Sequence, residues 1–243
     1  MIALDHVTKR YGRRAAVEDL SLTIKEGTTF GFLGQNGAGK TTTMKMLVGL
    51  AAPDRGTVSI DGRPASDLAM RAGIGYMPEA PYFYERLTGV EFLRFCAELF
   101  GIAMDGAAAL ALLGKVGIEA AGNRAIGGYS KGMKQRLGFA QALVNDPAHV
   151  FLDEPLDGLD PLGRKEIKRI IKELRAEGRS VFFNSHILYD TEELCDEIGI
   201  LHEAKLVYAG SVRAFCAGKP LEDRFVEIIE GLAKKAAHAS GRA

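Results

Sequence analysis

Neither sign of charge is in excess in this chain: lysine plus arginine and aspartate plus glutamate number 31 each over 243 residues. That balance excludes the overall basic field with which non-specific nucleic-acid binders gather phosphate backbones, so neither DNA nor RNA is expected as a partner. Cysteine is scarce. Cys96, Cys195 and Cys216 are scattered and odd in number, which fits a reducing compartment and offers no metal-ligand spacing. Long apolar runs are missing too, since none approaches the ~18 residues of a membrane-spanning helix. The start Met1-Ile2-Ala3-Leu4-Asp5-His6 has no signal-peptide profile. Any membrane role is therefore expected to come through another subunit. Internal repeats and low-complexity linkers are absent. What is present is an ordinary globular composition, 47% apolar and 26% charged, able to bury a substantial core as one large or two small domains.

Apolar and polar residues alternate through the first thirty positions, at Ile2, Leu4, Leu20, Leu22 and Ile24, which predicts two strands of a partly exposed sheet. A further strand is expected over 56–62. Another, over 74–77, is stopped by Pro78, which has no N–H for a ladder. From Pro81 the pattern turns helical, with segments over 88–100 (Val90, Leu93 and Ala97 on one side), 107–113 and 131–144. Apolar strands return at 149–152, 180–183 and 198–201. Between them lie helices over 162–176, with Ile167, Ile170, Ile171 and Leu174 as the buried stripe, and over 187–195. Strands alternating with helices argue an α/β fold with a parallel sheet covered on both faces. A last amphipathic segment is expected over 225–232, fraying beyond into Ala, Lys, Gly and Arg.

The chemistry begins at Gly34-Gln35-Asn36-Gly37-Ala38-Gly39-Lys40-Thr41, which fits G-x-x-x-x-G-K-[ST]. It sits between the apolar run 28–33 and a helical stretch from Thr42 carrying Met44, Leu47 and Val48. Glycines at 34, 37 and 39 let the backbone wrap so that N–H groups converge on an anion, backed by a helix N-terminus. Lys40 then reaches the β- and γ-phosphates of a nucleoside triphosphate, Thr41 offers its hydroxyl to Mg²⁺, and the nucleotide-binding segment runs on to Thr42. A glycine-rich turn that binds nothing is the alternative. The strand over 149–152 leads into Asp153-Glu154-Pro155, two carboxylates at the sheet edge where α/β proteins place ligands. Beside Mg²⁺, Asp153 would hold the metal and Glu154 would orient and deprotonate the water attacking the γ-phosphate; alone, the pair also reads as a solvated strand end.

With these motifs in order, the chain resembles the nucleotide-binding subunit of an ATP-binding cassette (ABC) transporter from about residue 2 to 218. Tyr129-Ser130-Lys131-Gly132-Met133-Lys134-Gln135-Arg136 stands where that family carries its signature, usually Leu-Ser-Gly-Gly-Gln. The resemblance implies that Ser130, Lys131 and Gly132 face ATP held by a second copy, so that two chains close head to tail over two ATP molecules. Helix capping is the other reading of Ser130. By the same resemblance Asp160, in Leu156-Asp157-Gly158-Leu159-Asp160, belongs to a loop crossing the dimer interface, His186 contacts the γ-phosphate and positions the catalytic carboxylate, and Tyr11 stacks on adenine. Glu79, in Tyr76-Met77-Pro78-Glu79, stands where many members have glutamine, and could ligate Mg²⁺ or its water. Lys131 and Met133 depart from the signature, and Asp157-Gly158 is atypical. Glu79 and the Tyr-Ser-Lys-Gly start are similar to bacterial exporters of the ABC-2 type.

The implied architecture is a P-loop NTPase of the ABC type. It has a mostly parallel core sheet (1–80 and 147–218), an antiparallel β-subdomain near the N-terminus, an inserted helical subdomain (81–146) and a short tail (219–243). The implied cofactors are ATP and Mg²⁺. The implied partners are a second copy and membrane-spanning permease subunits, one of whose short helices docks between core and helical subdomain. That places the chain in the cytoplasm on the inner face of the membrane, touching it only through the permease. A non-transport ABC ATPase, for example in iron–sulfur assembly, and a docking subunit that only binds nucleotide are the rival readings.

Overall fold

Three strands, Thr29–Gly34 (β3), His149–Asp153 (β7) and Ser180–Asn184 (β8), are buried at every residue, because the sheet they build is covered on both faces. Together with Ile74–Met77 (β6), Glu197–His202 (β9) and Lys205–Ser211 (β10), they form a six-stranded sheet in the order β10-β9-β3-β8-β7-β6. Every neighbouring pair is parallel except the β9–β10 hairpin. Successive side chains along a strand face opposite ways. Phe182 therefore meets Phe30 and Phe151 on one face, at 5.5 and 6.0 Å between ring centroids, packed against the helix Lys40–Leu47 (α1) and the N-terminal strands. Phe183, Val150 and Leu152 face the other way, onto the Ile167, Ile170, Ile171 and Leu174 stripe of Pro161–Ala176 (α6).

The computed structural model describes Met1 to Ser240, with side chains through Ala233. A second, antiparallel sheet joins Ile2–Tyr11 (β1), Arg14–Ile24 (β2), Arg55–Ile60 (β4) and Arg63–Pro64 (β5) in the order β2-β1-β4-β5. The alternation read at Ile2, Leu4, Leu20, Leu22 and Ile24 is its buried face. After β5 comes the short helix Leu68–Ala72 (α2). Beyond β6 the chain turns helical, through Gly89–Leu99 (α3), Gly106–Lys115 (α4) and Lys131–Gln141 (α5). Thr88 and Glu91 form a reciprocal capping box on α3, and Asp105 and Ser130 cap α4 and α5, each satisfying an N–H that the first turn leaves free. Val90, Leu93 and Ala97 share one apolar cluster with Leu137, Leu152 and Ile167, so the inserted helices pack on the main core.

Several boundaries differ from the sequence pattern for local reasons. The first helix begins at Lys40 and ends at Leu47, two residues before Gly49 at φ 71°. α5 stops at Gln141 because the chain must turn into β7, a turn fixed by Asn145, whose Nδ2 donates to the carbonyls of Ala72 and Ile74 at 2.8 and 2.9 Å. After Leu188–Leu194 (α7), β9 and β10 come Val212–Cys216 (α8) and Leu221–Ser240 (α9). The last helix is longer than the expected 225–232 and runs through the alanines and lysines expected to fray. Its start is tied down where the Leu221 N–H donates to Glu192 Oε2 at 2.9 Å. Gly241 and Arg242 lie outside the described residues. Among the described residues no helix is long and apolar enough to cross a membrane.

Candidate functional site

Four parallel strands end at one edge of the large sheet, and each hands on a segment with polar chemistry. β3 leads into the 34–41 loop, β6 into Pro78-Glu79, β7 into Asp153-Glu154, and β8 into Ser185-His186. In the loop Gly37 and Gly39 take φ of 79° and 113°, a region that side chains disfavour. At Gly39 space forbids a side chain as well: a Cβ there would lie 2.2 Å from the Ala16 carbonyl oxygen. Gly39→Ala is therefore expected to lower stability by at least about 2 kcal/mol and to abolish nucleotide binding. A denaturant midpoint and ATP titration equal to the unaltered chain would contradict the loop geometry. α1 starts with neither a side-chain cap nor an acidic residue in its first turn, which leaves its first N–H donors to be satisfied by an anion.

Lys40 is the buried cation of this loop. It is 7% exposed, and its Nζ donates to the carbonyls of Gly34 at 2.7 Å and Gln35 at 3.4 Å. Burial pushes its ammonium pKa below the usual lysine range, outweighing the opposing pull of Glu154, Asp153 and Glu79. An anion brought into the loop would restore the missing counter-charge.

On β7, Asp153 is 1% exposed. Its Oδ1 accepts from Asn184 Nδ2 at 2.8 Å, while its Oδ2 is buried with no hydrogen-bond partner among the described residues. A carboxylate oxygen held so is costly unless a cation or donor meets it. Next to it Glu154 sits at φ 53°, and its carboxylate Oε2 lies 2.9 Å from His186 Nδ1 and accepts the His186 N–H at 3.3 Å. Its backbone carbonyl accepts from Gln135 Nε2 at 2.9 Å, so Glu154 is fixed at both ends.

A cavity of about 530 Å³ lies over this edge, and Tyr11, Lys40, Thr41, Thr42, Glu79 and Glu154 line it together with Arg14 and the loop residues Asn36, Gly37 and Gly39. Of the site residues expected from the sequence, Gly34, Gln35, Ala38, Asp153 and His186 do not line this space; Asp153 lies on β7 directly before Glu154, and His186 is joined to Glu154 by hydrogen bonds. Tyr11 is half exposed there, with Lys9 Nζ 5.7 Å from its ring centroid. Ser130, Lys131, Gly132 and Asp160 do not line it. Ser130 Oγ accepts the Met133 N–H at 3.2 Å and caps α5, the capping reading left open above; Asp160 accepts the Gly163 N–H at 2.8 Å and caps α6. Gln135, Asn184 and Arg14 are the contributors that the sequence pattern did not single out. Only Asn184 carried a signal, as an amide closing an otherwise apolar strand. Among the described residues no group of three or more His, Cys, Asp or Glu is placed to hold a metal by itself.

The model of the family described as ABC transporter matches residues 17–157, more than half of the chain. This chain belongs to the ABC transporter family. An uncharacterized ABC transporter ATP-binding protein of Nostoc sp. is 47% identical to this ABC transporter chain over 201 residues, 81% of this chain and 60% of that protein. The bacitracin transport ATP-binding protein of Bacillus licheniformis is 42% identical over 212 residues, covering 85% and 68%. This chain thus spans about 60% of the length of its Nostoc relative. Among solved structures, the dimeric post-hydrolysis state of the ATP-binding cassette MJ0796 bound to ADP and Pi superposes with a TM-score of 0.81 at 26% identity, over 88% of this chain and 99% of that one. The α/β architecture, with its antiparallel and mostly parallel sheets, is that of the ABC ATPases.

Proposed function

We propose that this chain binds and hydrolyses ATP and that two copies, closing head to tail over two ATP molecules, power a membrane exporter. The observation that carries this reading is the convergence of Lys40, Thr41, Asp153, Glu154, Glu79 and His186 at the carboxyl ends of β3, β6, β7 and β8. In it, loop N–H groups and Lys40 hold the β- and γ-phosphates, and the Tyr11 ring stacks on the adenine. Glu154 takes the proton of the attacking water, and His186 keeps the Glu154 carboxylate in place while facing the terminal phosphate. Thr41 and Glu79 on the cavity, with the unpartnered Oδ2 of Asp153 next to Glu154, suit Mg²⁺, a hard cation held through one or two carboxylates that keeps the rest of its shell for phosphate and water. When bound, that ion would supply positive charge to offset the negative charge developing on the phosphates.

Ser130, Lys131 and Gly132, set apart from the chain's own cavity, are assigned to the ATP held by the second copy, and Asp160 to a loop that crosses the dimer interface. This composite arrangement makes ATP the glue of the dimer and hydrolysis its release. The division into core (1–80 and 147–218), helical subdomain (81–146) and tail (219–243) belongs to the same proposal. So do the permease partner, the cytoplasmic face and the absence of any nucleic-acid partner. Transport is supported by the bacitracin transport relative, and export by the fluoroquinolones export ATP-binding protein of Mycobacterium tuberculosis, 40% identical over 213 residues. The test is co-purification with the membrane partner followed by ATP hydrolysis with and without Mg²⁺: turnover that needs Mg²⁺ and responds to a transported compound is expected, and a partner-free chain with no ATPase activity under any condition contradicts it.

Glu79 gives a narrower test. Without a cation it adds a third carboxylate beside Asp153 and Glu154, so its charge repels until metal arrives. Glu79→Gln is expected to raise ATPase activity at limiting Mg²⁺ relative to saturating Mg²⁺. An unchanged Mg²⁺ titration contradicts a role for this residue at the metal.

A further inference from the structure

Two departures from the family pattern, Lys131 in the signature and Asp157 in the segment after Glu154, meet in space. Lys131 Nζ donates to Asp157 Oδ2 at 2.9 Å across 26 positions of sequence. The lysine stem lies over Gly158, where a Cβ would come within 2.7 Å of Lys131 Cε, so the glycine at 158 is what admits the pair. The contact keeps the Asp157 carboxyl below its usual pKa range, first through the Lys131 hydrogen bond, and so the carboxylate is charged. The pair is also exposed, 73% at Lys131 and 46% at Asp157, and exposed pairs contribute little to stability. A fixed brace would be a poor use of it.

Position makes the lysine stranger still. Lys131 is the first residue of α5, directly after the Ser130 cap, where the helix dipole favours negative charge and opposes a cation. The same helix end, with its free N–H groups, attracts an anion. Lys131 thus stands at an anion-seeking terminus, paired among the described residues with a solvated carboxylate.

We propose that Asp157 parks Lys131 in the open chain and releases it to the terminal phosphate of ATP held by a second copy, an ion-pair exchange that makes closure respond to ATP rather than ADP. The inference rests on the composite-site reading above. The γ-phosphate carries more charge than one carboxylate, and closure displaces water around it, which strengthens the new pair relative to the old. ADP lacks that phosphate, so after hydrolysis Lys131 returns to Asp157 and the interface loosens. The exchange is also transmitted toward the reaction: the Asp157 N–H donates to the Glu154 carbonyl at 3.2 Å, which Gln135 of the signature helix also contacts.

The experiment uses the full chain with Glu154→Gln to hold ATP uncleaved, and follows dimer formation by light scattering against ATP and against ADP. Lys131→Gln should weaken the ATP dimer about tenfold and flatten its dependence on salt. Asp157→Asn should do the opposite, tightening the ATP dimer severalfold and raising the residual dimer with ADP, because Lys131 is no longer parked. The double variant should behave like Lys131→Gln alone. If Asp157→Asn weakens the dimer as much as Lys131→Gln, the pair is a brace and the exchange is wrong. If Asp157→Asn leaves dimerisation unchanged, the exchange is equally wrong. Should the Glu154→Gln chain with Lys131 intact form no dimer with ATP, the composite-site reading itself fails and takes this inference with it.

Discussion

Lys40→Ala is expected to lose ATP binding and ATP hydrolysis together, with affinity falling by about 100- to 1000-fold, the equivalent of roughly 3–4 kcal/mol. The reason lies in what surrounds the ammonium. It is buried, its only hydrogen-bond acceptors among the described residues are the carbonyls of Gly34 and Gln35, and burial lowers its pKa despite three carboxylates in range. A charge in that condition gains strongly from a phosphate dianion. The stability of the nucleotide-free chain should move the other way. A lysine whose folded pKa lies below its unfolded value binds its proton less tightly in the native state, so at neutral pH its charge opposes folding. Removing it should therefore leave the melting temperature of the nucleotide-free chain unchanged or higher, while abolishing the further rise that ATP gives the unaltered chain. Isothermal titration with ATP and a thermal scan with and without nucleotide check both halves. Retained ATPase activity would remove the phosphate-loop assignment, whereas a collapse of nucleotide-free stability would show that Lys40 is structural.

How much of this was legible in the sequence varied with the range of the interaction. The 34–41 loop was visible because its pattern is local: glycines at fixed offsets, then lysine and threonine, between a strand and a helix. The buried strands β3, β7 and β8 were visible because both of their faces are apolar. β10 was not. It is a half-exposed edge strand, and the turn that makes it a hairpin with β9 uses Glu203 and Ala204 at φ 46° and 68°, without the glycine or asparagine that announces such turns. The short helices α2 and α8 were missed because five residues leave no period to read. Residue spacing alone also gave no sign that His186 would lie 2.9 Å from Glu154, 32 positions away. That contact follows from strand order: β7 and β8 are parallel neighbours in register from His149–Ser180 to Asp153–Asn184, so whatever follows one strand must meet whatever follows the other. The same geometry explains why Asn184 reaches Asp153. Gln135 and the Lys131–Asp157 pair, which join the helical insertion to the segment after β7, depend on how α5 packs against the sheet, and no pattern within either segment encodes that.

Glu154→Gln is expected to separate what Lys40→Ala removes together. The amide keeps the size and shape of the carboxylate and can still accept the His186 N–H now bonded to Glu154 Oε2, so the local structure should survive; the backbone at φ 53° strains glutamine no more than glutamate. What disappears is the base that the proposal assigns to Glu154. Without a carboxylate to take the proton of the attacking water, turnover should fall by about 10²- to 10⁴-fold, while ATP affinity stays equal or rises, since one negative charge near the terminal phosphate is gone. A site that binds but does not cleave accumulates its bound state, and if that state is shared between two copies, the chain should become a stable dimer with ATP and a monomer with ADP. Steady-state phosphate release and light scattering under the two nucleotides read the two consequences independently. Hydrolysis near the unaltered rate would move the base away from Glu154, and a monomer under saturating ATP would break the link between terminal phosphate and second copy on which the transport reading depends.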